Sequence, residues 1–203
     1  FSTEDYGIYD LIISFASLLL PIMTLLVQQA VFRFMISEEP EKQKKYISTS
    51  VFFVFAFSLC IFAIVVIIGV KANQRLDLLI LAMALYFFES IYDVMGQIAR
   101  GYGKNLIYSI AVIIYSTVNM IILLIAVNMN FVNIKSVLII LSISYFIAAI
   151  FIFLNLKLNK VIKIKEFSID ILKNMLKYSA PMIPSSIALW IVNLSDRLII
   201  TYS

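Results

Sequence analysis

Four stretches of this chain, residues 11–32, 46–70, 105–134 and 136–156, contain no Asp, Glu, Lys or Arg. Each is long enough for an α-helix to cross a hydrocarbon core of about 30 Å. Residues 178–195 form a fifth such run, which Leu198, Ile199 and Ile200 continue beyond Asp196 and Arg197. A sixth segment, residues 78–99, is apolar as far as Phe88 and then carries Glu89 and Asp93. Runs of this length and continuity are helices, not the alternating strands of an aqueous barrel. With 63% hydrophobic and 14% charged residues and a mean hydropathy of +1.02, the chain cannot be an ordinary water-soluble globule.

Basic residues decide whether the sixth segment spans, because Lys and Arg in short loops favour the cytoplasmic side. If it does, Arg33, Lys42, Lys44, Lys45, Arg100, Lys104 and the six lysines between residues 157 and 177 share one side. Lys71, Arg75, Lys135 and Arg197 are left on the other. Without that crossing the basic residues separate less well between the two sides. The expected fold is therefore an all-α polytopic transmembrane bundle of six spans, near residues 11–33, 46–70, 77–99, 106–128, 136–156 and 179–203. Residue 1 is expected outside and residues 157–178 in the cytoplasm. The net charge of +4 then faces anionic headgroups, so nucleic acid is not needed to explain it. The chain opens without an initiator Met or a signal-type region and stops in an apolar stretch, so it is expected to be an internal piece of a longer protein.

Within the polar stretch 157–178, Ser168 is placed to cap a helix whose first turn holds Asp170. Ile171, Leu172, Met175 and Leu176 share one face of it, which predicts an amphipathic helix lying along the inner leaflet. Pro21 falls near the middle of the first span, where a bend is expected, whereas Pro181 and Pro184 sit at the start of the last, where proline costs little.

The absence of His removes His-based nucleophile systems and His metal sites, and Cys60 alone allows neither an internal disulfide nor a Cys-x-x-Cys centre. No cofactor or metal is expected, and no enzyme activity. The polar chemistry left is carboxylate, amide and guanidinium. Glu89, Asp93 and Gln97 recur at i, i+4 and i+8, with Tyr86 a turn before and Arg100 about a turn after, so they line one helix face. Glu89 lies eleven residues from Leu78, roughly 17 Å along a helix and near mid-bilayer. A charged group there costs at least about 2.5 kcal/mol facing lipid, so it should face a pathway or a partner. Asn193, Asp196 and Arg197 cluster on the last span, Asn119 is mid-span in the fourth, and Arg33 ends the first after Gln28 and Gln29. The Gly101-Tyr-Gly103 stretch reads as a short turn, not a nucleotide loop.

Three stretches carry a resemblance. FSTEDYGIYDL (1–11) resembles the loop entering the second helix of polysaccharide-biosynthesis membrane proteins, and QIARGYGKN (97–105) resembles their cytoplasmic turn after the fourth helix. YSAPMIPSSIALWIVNLSDR (178–197) is similar to the opening of their seventh helix. These are the oligosaccharide-lipid flippases, relatives of the multidrug and toxic compound extrusion transporters. The resemblance implies that residues 1–156 hold five helices of an N-terminal lobe, that 157–178 is the basic cytoplasmic connector, and that 179–203 begins a second lobe. The whole would be a two-lobe transporter of about twelve or more helices in the bacterial cytoplasmic membrane. It would move an undecaprenyl-diphosphate-linked oligosaccharide between leaflets by alternating access, with a coupling ion, H+ or Na+. The alternatives are a cation-coupled multidrug extruder and, from another class, a membrane-embedded glycan polymerase or transferase.

Overall fold

The computed structural model describes residues 7, 10, 13, 14, 18, 20–71 and 76–202, with side chains through residue 192. Its regular elements are helices: α1 (Val27–Ser37), α2 (Pro40–Lys71), α3 (Leu76–Gly101), α4 (Asn105–Asn128), α5 (Ile134–Asn155), α6 (Ile169–Ser179) and α7 (Met182–Tyr202). Helices α2 to α5 are long and apolar enough to cross a membrane, and they contain all but the last residue of the four middle spans expected from the sequence. The first and last expected spans fall partly outside the described residues.

Helix α3 is the hub. It packs against α1, α2, α4 and α5 and is the most buried of the four long helices, whereas α2 and α4 turn most of their apolar surface outward. That outward surface is suited to acyl chains, so the protein interior is distinguished less by hydrophobicity than by small polar groups. Ser48, Thr49, Ser50, Ser58, Ser90 and Ser144 are all fully buried. Ser58 Oγ lies 3.2 Å from Ser90 Oγ and donates to the Met23 carbonyl at 3.3 Å, joining α2, α3 and the residues before α1. An ion pair between Asp77 and Lys135 ties the first turns of α3 and α5, which run parallel.

The expected bend after Pro21 is a break. Residues 20–24 are helical, but Leu25 and Leu26 then take left-handed conformations, φ 47° and 54°, and α1 starts afresh. Thr24 repairs the junction: its hydroxyl donates to the Leu20 carbonyl at 2.9 Å and accepts the Leu26 N–H at 3.3 Å. The Gly101–Gly103 stretch is a tight turn, with Gly103 at φ +70° where a side chain would be strained.

Residues 158–160 and 164–166 form short 3-10 turns, and Ser168 Oγ caps α6 by accepting the Ile171 N–H at 3.4 Å. The apolar face of α6 does not lie on a leaflet. Met175 is fully buried, and Ile171 and Leu176 pack with it against the ends of α1 and α2. Phe34 of α1, stacked on Tyr46 of α2 at 4.9 Å, meets Tyr178 edge-on at 5.9 Å, so aromatic rings supply the apolar surface that α6 covers.

Close approach of α1 to the end of α3 depends on Gly101. A Cβ built there would stand 2.8 Å from Met35 Cβ, and Met35 is buried. Gly101→Ala is expected to destabilise the protein by about 1–3 kcal/mol through overpacking, read as a lower thermal midpoint of the purified protein in detergent.

Candidate functional site

About three turns of α3 carry the polar stripe. Helical spacing places Glu89, Asp93 and Gln97 in line, and Arg100 extends the line to the turn between α3 and α4. From Glu89 to Arg100 is roughly 16 Å along the axis. Glu89 and Asp93 are half-buried and Gln97 is buried.

Helices α4 and α5 complete the surroundings with phenols. Tyr145 of α5 donates its hydroxyl to Glu89 Oε1 at 3.1 Å. Its ring stacks on Tyr115 of α4 with centroids 4.4 Å apart, and Tyr92 of α3 closes the group at 5.4 Å from Tyr145. Among the described residues no basic side chain forms an ion pair with the carboxylates. The ion pairs among the described residues are Lys42–Glu38, Lys44–Glu41 and Lys135–Asp77, all at helix ends. Glu89 thus has one neutral hydrogen-bond donor, and Asp93 makes no hydrogen bond to a described residue.

Lower on the same face, Arg100 Nη1 donates to Gln97 Oε1 at 3.3 Å. Its guanidinium lies 4.8 Å from the ring centroid of Phe32 and 5.5 Å from that of Tyr108. Gly96 makes room for Tyr108, since a Cβ there would stand 3.0 Å from the ring. The stripe therefore runs from a carboxylate pair beside three tyrosines to an arginine held between two aromatic rings.

The other residues singled out from sequence are placed differently. Asn119 is half-buried one turn beyond Tyr115 on α4; the antiparallel register carries it toward the level of Glu89, and it makes no hydrogen bond among the described residues. Arg33 is exposed, and its neighbour Phe32 is the α1 residue that meets the stripe. Asn193, Asp196 and Arg197 belong to the α7 backbone, but their side chains lie outside the described residues. Tyr86 is buried in the smaller apolar cluster with Met23, Met83 and Leu138.

Tyr92, Tyr115, Tyr145 and Tyr108 were not marked out by sequence reasoning, because Tyr is common among these apolar helices and nothing local separates a site phenol from a packing one. Arg100 did carry a signal, its i+3 offset from Gln97.

The model of the polysaccharide biosynthesis protein family matches residues 1–203. The chain belongs to that family. No curated protein and no solved structure matches it.

Proposed function

We propose that the protein is a flippase that carries an oligosaccharide linked to undecaprenyl diphosphate across the bacterial cytoplasmic membrane. The observation that carries this reading is the Glu89–Asp93 pair on the central helix, held without a counter-cation among the described residues and touched by Tyr145. A charge kept at membrane depth without an ion-pair partner is costly to fold and is retained where it meets water, ions or substrate. Family membership supports the substrate class.

In this reading residues 1–156 belong to the first lobe, 157–178 link it in the cytoplasm to a second lobe, and 179–203 open that second lobe. The excess of Lys and Arg at the connector end supports this orientation, with residue 1 outside. Glu89, Asp93 and Gln97 line the first lobe's side of the pathway, joined by Asn119. Asn193, Asp196 and Arg197 are the candidates the second lobe would contribute, and Arg33 stands at the cytoplasmic rim. The carboxylates accept hydrogen bonds from sugar hydroxyls in one state of the cycle and bind the coupling ion, H+ or Na+, in another. The chain performs no covalent chemistry in this cycle; its work is differential affinity between inward and outward states.

Complementation of a flippase-deficient strain by the full-length protein tests this. Glu89→Gln and Asp93→Asn are each expected to lower surface polysaccharide, and the double variant to remove nearly all of it. Unchanged polysaccharide in all three eliminates the stripe from transport. Drug resistance on expression without any change in surface glycan selects multidrug extrusion instead.

A further inference from the structure

At the connector end of the bundle, the turn between α3 and α4 borders an open pocket of about 540 Å³ beside Arg100. Its walls are Phe32, Met35 and Ile36 of α1, Gln43 of α2, and residues 100–103 and 105 of the turn. The pocket belongs neither to the carboxylate pair nor to the tyrosine group. No acidic residue among the described residues lines it. Of the acidic residues at the adjoining turn between α1 and α2, Glu38 and Glu41 are each engaged by a lysine, at 3.2 Å and 2.8 Å, and Glu39 is exposed and forms no ion pair among the described residues.

Arg100 is half-buried and has no carboxylate partner among the described residues. A guanidinium carries five N–H donors, and here one of them is engaged, by Gln97 Oε1. Phe32 and Tyr108 hold the group in place by their ring faces, which leaves its remaining N–H donors for a ligand. A planar cation fixed in this way is shaped for two-point recognition of an oxyanion, above all a phosphate. The polar surroundings agree. Gln43 is already committed, donating to the Met35 and Glu38 carbonyls at 2.8 and 3.1 Å, so it braces the wall and does not neutralise the cation. Helix α4 begins at Asn105 with no side-chain cap, so the positive end of its dipole faces the same mouth. One wall is apolar: Phe32, Met35 and Ile36 stand beside the cation, and Leu106 is exposed just outside.

We propose that the Arg100 pocket binds the phosphate of a lipid headgroup, with Arg100 on the phosphate oxygens and the α1 wall against the first carbons of the chain. The identity of that lipid as the transported one rests on the flippase reading; phosphate recognition rests on the pocket alone.

The test uses full-length protein in a neutral detergent and two probes, inorganic diphosphate and farnesyl diphosphate, with equilibrium binding as the readout. Farnesyl diphosphate is expected to bind about tenfold more tightly than inorganic diphosphate. Arg100→Gln is expected to weaken both by about tenfold or more, and Arg100→Lys to recover part of the loss. Asn105→Asp, on an exposed side chain at the pocket mouth, is expected to weaken both without touching the core. Wild-type protein that binds neither probe, or Arg100→Gln and Asn105→Asp variants that bind both like wild type, would overturn the site. Equal affinity for the two probes overturns the lipid assignment. Restored surface polysaccharide with Arg100-independent binding removes this site and leaves the flippase reading standing. Arg100-dependent binding by a protein that restores no polysaccharide does the reverse.

Discussion

Replacing Glu89 by Leu together with Tyr145 by Phe is expected to abolish transport while leaving the protein at least as resistant to thermal unfolding as wild type. The two effects separate because the pair is polar inside an apolar bundle. An ionised carboxylate near mid-bilayer carries a cost of about 2.5–3.5 kcal/mol on insertion scales. Against it stands one hydrogen bond, from the Tyr145 hydroxyl at 3.1 Å, and a bond to a charged group returns about 1.5–3 kcal/mol. The stacking of Tyr145 on Tyr115 is preserved by Phe. Leu alone at residue 89 leaves the Tyr145 hydroxyl without its acceptor, so the single variant should be about 1–3 kcal/mol less stable than the double. Thermal midpoints in detergent order the three proteins, and complementation reads transport. A double variant that unfolds earlier than wild type yet still exports polysaccharide would assign Glu89 to holding α3 against α5 and end the pathway reading.

Much of this fold is legible in the sequence because a bilayer is a demanding solvent. With no water to satisfy backbone groups, long charge-free runs must be helices, and α2, α4 and α5 follow directly. Even α3, with Glu89 and Asp93 in its apolar length, is recoverable from the placement of Lys and Arg. The line of Glu89, Asp93, Gln97 and Arg100 is equally plain, since helical spacing alone puts it on one face. What surrounds the line is not. Tyr145 lies 56 residues from Glu89 and reaches it only through the packing of α5 on α3. The same holds for Phe32: a charged Arg33 draws the eye in sequence, but helix phase turns it outward and sets the ring over Arg100. Pro21 signals trouble in the first span but not its form, because the left-handed pair at Leu25 and Leu26 depends on Thr24 taking over two backbone hydrogen bonds. An amphipathic pattern, likewise, states that α6 must bury one face and not what will cover it.

That last point sets the second large effect. Met175→Asp is expected to release the connector helix from the bundle. Met175 is fully buried between α6 and the ends of α1 and α2, so an aspartate there must either lose its water or leave. Leaving is the cheaper course, because α6 has only eleven residues and an isolated helix of that length is marginal in water. The attachment upstream is local and polar: Ser48 Oγ donates to the Val161 carbonyl and accepts the Lys163 N–H, both at 3.2 Å, and Thr49 Oγ1 accepts the Ser168 N–H at 3.1 Å. Those bonds hold residues 161–168 and do not reach the exposed Lys173 and Lys177. Tryptic cleavage after these two lysines should therefore rise about tenfold in Met175→Asp, since a protease acts on the locally unfolded chain. Asn174→Asp adds the same charge on the exposed side of the helix and should leave cleavage as in wild type. Equal cleavage in the two variants would mean that α6 is not held by its contact with α1 and α2. A rise confined to Met175→Asp makes the connector part of the body formed by α1 to α5.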